Sequence, residues 1–449
     1  MASDNPIQIV GAGLAGSEAA FQLAEMGHKV VLHEMRSKKM TPAHKTNMFS
    51  DLVCSNSLGS ETDYSAPGQL KWEARKLGSL ILKAADEAKI PAGMALGVDR
   101  TVFAKAITTT LETHPNIEIK REVVASLADV PRPCILATGP LTDESLALDV
   151  QQHLKNDDDE KEFLYFYDAI APIIDTDSID MDVCFRQNRW DFDNPGTGDY
   201  INCPMDKETY YKFIEAIKAA RKIEPKEFEK TPYFDACMPV EAIIEKGDET
   251  IRFGPMSPKG LRNPHNDERP YAVVQLRQEN KDATAWNMVG FQTKMAYGDQ
   301  KEVFRMIPGL ENAEFLKLGS IHKNMYIHTP KKLTKQLQSQ KDPGLFFAGQ
   351  ITGVEGYFDS TCIGLLVSKF VDNYVKGVEF NMPPRASAFG SLLNGITEEK
   401  EHHFQPTNIN FGLFPPLEAK GKEFRGSKGK RAKRDKQISI AQEAFDTWT

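Results

Sequence analysis

The chain has 449 residues, of which 41% are hydrophobic and 26% are charged. A globular chain of this length and composition can bury one large core and form at least one further domain. No run approaches the roughly 20 apolar residues that a membrane span needs, and no basic segment precedes an apolar stretch near Met1, so we expect a cytoplasmic protein without membrane contact. The formal net charge of −8 argues against a surface coated with nucleic acid, although an RNA enzyme needs only a local basic patch.

The first predicted elements are a strand, a glycine turn, a helix and a second strand. Ile7 to Val10 is an apolar run that leads into the turn Gly11-Ala12-Gly13-Leu14-Ala15-Gly16. Ser17 to Met26 is amphipathic and predicts a helix, and Lys29 to His33 predicts a strand that ends at Glu34. This order and length are those of a βαβ unit with two parallel strands.

The glycine turn has the spacing of a dinucleotide-binding loop. Gly11 permits the tight turn, Gly13 lets a pyrophosphate approach the backbone, and Gly16 lets the helix pack closely on the strand. Glu34 lies 23 residues beyond Gly11, where its carboxylate can accept hydrogen bonds from a ribose. FAD and NAD both satisfy this pattern, and a structural βαβ unit without a ligand is a third alternative.

The middle of the chain predicts a long loop, a helix and a return to the nucleotide-binding domain. Residues 36–66 are polar and rich in serine, which indicates a functional or disordered loop, and Pro67 to Ala88 predicts a helix. Cys134 to Ala137 predicts a core strand that runs into Thr138-Gly139-Pro140. This segment resembles the Ala-Thr-Gly element by which many FAD proteins re-enter the nucleotide domain.

A late strand and helix favour FAD over NAD. Leu345 to Gln350 predicts an apolar strand that stops at Gly349, and Gly353 and Gly356 precede a predicted helix from Thr361 to Val375. The start of this helix would direct its positive end toward a ligand. Because a distant C-terminal strand and helix typically close a large FAD domain, we expect FAD.

The predicted fold is α/β, a Rossmann-like FAD-binding domain with a parallel sheet and helices, into which a mixed α+β domain is inserted. We assign residues 1–140 to the first part of the FAD domain and residues 141–335 to an inserted substrate or RNA domain. Residues 336–412 close the FAD domain, and residues 413–449 form a basic C-terminal segment. The insertion is predicted to contain a helix over Lys207 to Ala220 and a strand over Tyr271 to Leu276.

The six cysteines are widely scattered and include no C-x-x-C pair, so we expect free thiols and no metal site. They are Cys54, Cys134, Cys184, Cys203, Cys237 and Cys362.

Many short blocks resemble, in one order from about Ile7 to Gly412, the folate- and FAD-dependent tRNA (uracil-5-)-methyltransferase family. This family is itself related to the larger FAD-dependent tRNA wobble-uridine modifying proteins. The blocks are the glycine turn with Ser17-Glu18-Ala19-Ala20, Thr41-Pro42-Ala43-His44, Leu52 to Leu58, Ala95 to Arg100, Ala137 to Thr142, Tyr165 to Ala169, Cys237 to Glu241, Phe253 to Met256, Pro270 to Gln278, Val289 to Thr293, Ile307 to Phe315 and Phe346 to Tyr357.

The resemblance implies methylation of carbon 5 of a uridine in tRNA. It implies 5,10-methylenetetrahydrofolate as one-carbon donor, FAD as carrier and reductant, and NADPH or NADH to reduce the flavin. Uracil carbon 5 becomes nucleophilic once a thiolate adds to carbon 6, and the resemblance assigns that role to Cys237. It assigns Cys54 a supporting role, as base or alternative thiol.

Aromatic and basic residues in or near these blocks are candidates for the route by which an extracted base enters the site. They are Tyr271, Arg277, Phe291, Gln292, His322 and Lys323. From Lys420 to Lys436 the chain carries nine Lys or Arg, which predicts either an RNA-phosphate contact or a solvated tail.

Some positions depart from the family pattern. Gly59 stands where the family usually has arginine, and Lys323 replaces another arginine. Three alternatives stay open: the same chemistry on a ribosomal RNA uridine, a flavin-dependent oxidoreductase of a small molecule that shares the scaffold, and a non-catalytic RNA-binding protein.

Overall fold

A computed structural model describes residues 5–41, 43–155, 163–194, 196–223, 238–399, 404–417 and 426–448, and within these it describes the backbone alone for 163–168, 321–323 and 426–428. Cys237 lies outside the described residues, as do the side chains of His322 and Lys323 and the first part of the basic segment that begins at Lys420.

The strands, in chain order, are β1 (Ile7–Val10), β2 (Val30–Glu34), β3 (Ser57–Ser60), β4 (Lys89–Ile90), β5 (Ala95–Val98), β6 (Ile117–Arg121), β7 (Cys134–Leu136), β8 (Phe163–Ile170), β9 (Ile173–Asp175), β10 (Phe185–Arg186), β11 (Tyr200–Met205), β12 (Ala272–Gln278), β13 (Ala285–Met288), β14 (Phe315–Lys317), β15 (Ser320–Ile327) and β16 (Leu345–Phe347). The helices are α1 (Leu14–Glu25), α2 (Ala66–Lys76), α3 (Leu80–Glu87), α4 (Arg100–Thr113), α5 (Glu144–Leu154), α6 (Lys207–Ala219), α7 (Val240–Glu245), α8 (Tyr297–Phe304), α9 (Thr329–Lys332), α10 (Tyr357–Lys376), α11 (Ala388–Thr397) and α12 (Gly426–Trp448).

A five-stranded parallel sheet forms the centre of the first domain, in the order β16-β7-β1-β2-β6. β1, β2 and β16 are buried along their whole length, as expected for parallel strands covered on both faces. Helices α1 and α10 pack side by side against this sheet, and a Cβ atom at Gly364 of α10 would overlap the Ala15 carbonyl oxygen. The predicted α/β fold with a parallel nucleotide-binding sheet is confirmed.

A second sheet of six antiparallel strands lies in the middle of the chain, in the order β10-β11-β12-β13-β9-β14. It has its own core, which runs from Ile174 to Phe315. A long antiparallel pair, β8 with β15, joins the two parts, and Ile327 at its end belongs to the first core. Leu146 and Leu154 of α5 also pack in the first core. The predicted domain boundaries at 140, 335 and 412 stay predictions.

The prediction of one helix from Pro67 to Ala88 is wrong, because two helices, α2 and α3, occupy this segment. Gly78 has a φ of 74°, which ends the first helix, and the Ser79 side chain accepts a hydrogen bond from Leu82 N to begin the second. Glu18 of α1 also accepts hydrogen bonds from the backbone N–H groups of Leu80 and Ile81. Burial raises the pKa of the Glu18 carboxyl.

The C-terminal helix α12 returns to the first domain. Ala441 and Phe445 are buried in the first core, and Phe445 stacks on Phe389 of α11. The exposed positions of its first half carry lysine and arginine, among them Lys430 and Arg434. In the part of the chain that the structure describes, no helix is long and apolar enough to cross a membrane.

Candidate functional site

A cleft of about 1090 Å³, counting the part open to solvent, lies at the carboxyl ends of the strands of the first sheet. This is where open α/β sheets bind ligands. Its walls come from the residues that follow β1, β2, β7 and β16 and from the first turns of α1 and α10. They include Gly11, Gly13, Leu14, Ala15, Glu34, Arg36, His44, Ser50, Gly139, Gly349, Gln350 and Tyr357.

The glycine turn leaves backbone groups open to this cleft. Gly11 has a φ of 100°, and a Cβ atom there would lie 2.6 Å from the Ala137 carbonyl oxygen. A Cβ atom at Gly16 would overlap the Gly11 carbonyl oxygen, so helix and strand could not approach as they do. At Gly13, which begins α1, no atom lies within 4 Å of such a Cβ and no side-chain cap is present. The first turn of α1 can therefore donate to the oxygens of a pyrophosphate.

Glu34 and Arg36 form a buried ion pair at the end of β2. Glu34 accepts hydrogen bonds from Ala12 N at 3.0 Å, from Arg36 N and Nε at 3.0 and 2.9 Å, and from Arg36 Nη2 at 3.0 Å. Burial alone would raise the pKa of the Glu34 carboxyl, but the hydrogen bonds and charge of Arg36 outweigh it and lower the pKa. Four donors already bind the two carboxylate oxygens of Glu34, so a ribose hydroxyl would have to share one of these oxygens with a donor that is already bound to it.

Two buried polar atoms in the cleft wall find no hydrogen-bond partner among the described residues. They are Nη1 of Arg36 and Oγ of Ser50. Buried donors are normally paired, so an unpaired donor at a cleft indicates a polar ligand. Together with the open first turn of α1, they fit a cofactor that presents phosphate and hydroxyl oxygens. Burial, and next the charge of Arg36, lower the pKa of the nearby His44 to about 4.

The loop that carries Cys54 lies beside this cleft and is fixed by one hydroxyl group. Tyr357 Oη, at the start of α10, accepts hydrogen bonds from the backbone N–H groups of Val53 at 3.1 Å, Cys54 at 2.7 Å and Ser55 at 3.3 Å. Cys54 Sγ lies 3.7 Å from the Ala169 carbonyl oxygen. The thiol therefore stands between the first turn of α10 and the end of β8.

Three cationic side chains also hold this loop. Arg100 donates to Leu52 O at 2.6 Å, and Lys317 donates to Val53 O at 2.8 Å. Arg277 of β12 donates to Ser55 Oγ at 2.9 Å. Burial, and next the charge of Arg100, lower the pKa of Lys317 to about 8. The loop thus lies where the first domain meets the second sheet, in a positive environment.

The structure brings most of the predicted cofactor residues together. Gly11, Gly13, Leu14, Ala15, Glu34, Gly139 and Gly349 line the cleft, whereas Ala12 and Gly16 lie behind it. Gly353 and Gly356 do not line it: a Cβ atom at Gly353 would lie 2.5 Å from the Phe404 ring, and Gly356 begins α10 with a φ of 107°.

The predicted RNA-route residues are dispersed. Phe291 is buried in the second core, and Tyr271 donates to Glu249 at 2.8 Å. The Gln292 carbonyl accepts a hydrogen bond from Val240 N. Among the four predicted residues whose side chains the structure describes, Arg277 alone contacts the Cys54 loop. The sequence reasoning missed Arg36, Ser50, Tyr357 and Lys317. Tyr357 directly follows Gly356, the last predicted cofactor glycine, and this position could have indicated it. Lys317 is far from the Cys54 loop in the sequence and contacts it only because the chain folds back.

Comparison with known proteins gives consistent relatives. A sequence model of the family described as "Glucose inhibited division protein A" matches residues 6–379. The chain is 60% identical over 443 residues to "Methylenetetrahydrofolate--tRNA-(uracil-5-)-methyltransferase TrmFO" of Bdellovibrio bacteriovorus, covering 98% of each chain. The protein of the same name in Bartonella bacilliformis is 49% identical over 455 residues, covering 99% of this chain and 97% of that one.

A similar solved structure is that of Aquifex aeolicus GidA, with a TM-score of 0.68 and 17% identity. The match covers 99% of this chain and 73% of that one. At this identity the likeness establishes the fold.

Proposed function

Because this chain belongs to the family of methylenetetrahydrofolate–tRNA (uracil-5-)-methyltransferases, we propose that it methylates carbon 5 of a uridine in tRNA. The observation that carries the proposal is the Cys54 loop, which Tyr357 ties to the first turn of α10 beside the dinucleotide cleft. A free thiol beside a nucleotide site suits base methylation and has no evident use in a simple NAD(P)H oxidase.

The cleft residues fit FAD, and we propose that they hold it. Gly11, Gly13 and the first turn of α1 would bind its pyrophosphate, and Arg36 with Ser50 would bind polar groups of its adenosine half. When bound, FAD supplies the hydride chemistry and carries the one-carbon unit, which 5,10-methylenetetrahydrofolate provides, while NADPH or NADH supplies the electrons.

The cysteines would perform the chemistry on uracil. The Cys237 thiolate adds to carbon 6, and the electrons of the carbon 5–carbon 6 double bond move onto the carbonyl at carbon 4 as an enolate. Carbon 5 then forms a bond to the one-carbon unit, and a base takes the proton of carbon 5 as the carrier of that unit leaves, which gives an exocyclic methylene. A hydride, which bound reduced FAD would supply, converts the methylene to methyl as the Cys237 thiolate leaves and the carbon 5–carbon 6 double bond re-forms. We assign that base to Cys54 as thiolate.

Contacts along the described chain are compatible with the two cysteines acting together. Glu241, four residues after Cys237, accepts a hydrogen bond from Thr293. A Cβ atom at Gly319 would lie 2.5 Å from Thr293 Cγ2 and 2.8 Å from the Ile170 carbonyl oxygen. Ile170 follows Ala169, which contacts Cys54. A series of contacts through Thr293, Gly319 and Ile170 therefore connects Glu241 to the Cys54 loop.

The test is formation of 5-methyluridine in a tRNA transcript by the FAD-loaded protein with methylenetetrahydrofolate and NADPH or NADH. We expect Cys237→Ala to abolish the product and Cys54→Ala to reduce it strongly, whereas Cys184→Ala, a thiol buried in the second core, should stay active. Full activity of Cys237→Ala would remove it as the nucleophile.

The RNA class is tested in cells that lack the protein. We expect 5-methyluridine to disappear from the transfer RNA fraction of cytoplasmic RNA. Loss from ribosomal RNA alone would reassign the target, and robust NAD(P)H oxidation with a metabolite acceptor without RNA affinity would favour a small-molecule oxidoreductase.

A further inference from the structure

The connection between β10 and β11 presents two aromatic side chains to solvent. Trp190 is 64% exposed and Phe192 is 49% exposed, and their ring centroids lie 6.4 Å apart at an interplanar angle of 87°. By contrast, Trp286 in the adjacent sheet is buried. We refer to Trp190 and Phe192 as the aromatic platform. Large exposed aromatic groups that are close together usually mark a binding surface.

The platform is held in place by specific contacts. Trp190 has a φ of 68°, a conformation that bulky residues rarely adopt. Its backbone N–H donates a hydrogen bond to the Gly260 carbonyl oxygen at 2.8 Å. A Cβ atom at Gly260 would lie 2.9 Å from the indole ring, so the backbone of Gly260 lies against that ring. A strained and exposed residue that its surroundings fix in one conformation points to function.

The neighbouring Arg189 anchors the connection to β12. Its Nη2 and Nε donate to Gln275 Oε1 at 2.7 and 3.1 Å, and its Nη1 donates to Ser257 O at 2.8 Å and Lys259 O at 2.6 Å. These four hydrogen bonds fix Arg189, and with it the backbone of the adjacent Trp190, to Gln275 of β12 and to the backbone of Ser257 and Lys259. A platform ordered before binding loses little conformational entropy when a ligand stacks on it.

Arg189, which directly precedes Trp190, is anchored on the same face of β12 as the Cys54 loop. Side chains two residues apart on a strand point to one face, about 7 Å from each other. On that face Gln275 binds Arg189 and Arg277 binds Ser55, next to Cys54. The residue that directly precedes the platform is therefore anchored on the face of β12 that contacts the Cys54 loop.

We propose that the aromatic platform stacks an unpaired base of the RNA substrate, at a nucleotide other than the one that is methylated; this inference rests on the proposed function. Aromatic side chains bind splayed bases of RNA by stacking, which needs no particular sequence. Lys259 Nζ lies 5.9 Å from the indole centroid, and Asp191 and Asp193 directly follow Trp190 and Phe192 in the sequence. These carboxylates disfavour a phosphate at this place, so the platform contacts the base itself.

The test compares RNA affinity and its salt dependence between the FAD-loaded wild type and three variants, Trp190→Ala, Trp190→Phe and Phe192→Ala. Tyr297→Ala, which removes another aromatic group that is 54% exposed, is the matched control. With a tRNA transcript we expect Trp190→Ala to raise Kd about tenfold and Phe192→Ala to raise it less, with partial recovery in Trp190→Phe. The slope of log Kd against log salt should not change, because no phosphate contact is lost.

The outcomes distinguish failure of the platform alone from failure of the proposed function. Equal affinity of wild type, Trp190→Ala and Phe192→Ala, beside a wild type that binds and methylates the transcript, overturns the platform alone. A changed salt slope, or a higher KM for methylenetetrahydrofolate with unchanged RNA affinity, also overturns it. A wild type that binds no RNA overturns the platform and the proposed function together. The flavin absorbance spectrum and thermal unfolding of each variant report whether it has folded.

Discussion

At the scale of single residues, the end of β2 shows that the acidic residue of the dinucleotide-binding pattern, Glu34, is paired with a second side chain, Arg36. The sequence pattern predicts Glu34 because the acidic residue follows the glycine turn at the expected spacing. Arg36 could not be predicted in the same way, because its importance comes from a buried ion pair and an unpaired Nη1 atom that exist only in the folded chain. Glu34 thus positions Arg36 in addition to any contact it makes itself.

We therefore expect Arg36→Lys to weaken FAD binding about tenfold, or by about 1.4 kcal/mol. Lysine cannot make the two parallel hydrogen bonds to Glu34, and it has no further nitrogen to take the place of the unpaired Nη1 atom. Fluorescence titration of the flavin-free protein measures this change. Arg75→Lys is the control, because Arg75 is partly exposed and pairs with Glu61 and Asp86. Unchanged FAD affinity in Arg36→Lys would contradict the role of its guanidinium.

At the scale of elements, local signals locate helices and strands better than they locate the breaks between them. The first βαβ unit is predicted because its periodicity and its glycine turn agree. The break at Gly78 is missed, because a single glycine in an amphipathic run is compatible with a continuous helix. Its position depends on Glu18 of a different helix, which binds the first N–H groups of α3.

The start of α1 provides a matched pair of substitutions. Gly16→Ala should lower the free energy of unfolding by about 3 kcal/mol, because its Cβ would overlap the Gly11 carbonyl oxygen. Gly13→Ala has an ordinary φ of −75° and free space, so it should fold normally but bind FAD more weakly. Urea unfolding of the flavin-free proteins and FAD titration distinguish these effects. A Gly16→Ala variant as stable as wild type would refute the packing argument.

At the scale of the whole molecule, the two cores meet at the Cys54 loop. Arg100 of α4 in the first domain pairs with Glu279, which follows β12 of the second sheet, with Nε–Oε2 and Nη2–Oε1 distances of 2.8 and 3.2 Å. The sequence predicts neither this ion pair nor the order of the second sheet, because both depend on contacts between distant segments. Family resemblance locates Cys54 on a loop, but only the assembled domains show what holds it.

We expect Glu279→Gln to destabilise the protein by about 3 kcal/mol, since it leaves a mostly buried guanidinium without its charged partner. Uridine methylation should fall as well, because the same guanidinium holds Leu52 O of the Cys54 loop. Thermal unfolding and product formation measure the two effects. Glu112→Gln, which removes an exposed partner of Arg121, should cost less than about 1 kcal/mol. Equal stability of the two variants would show that the bridge between the cores contributes little.

The position of β16 in the first sheet also determines when the cleft can exist during synthesis. β16 pairs with β7 although about two hundred residues separate them, and Gly349 and Tyr357 follow it directly. A ribosome makes the N-terminal glycine turn first, yet the opposite wall of the cleft emerges only after the whole second sheet. Contacts of such long sequence separation form slowly. We therefore expect a nascent chain to expose the unpaired edge of β7 until β16 has been made, and FAD to bind only after most of the chain has been synthesised.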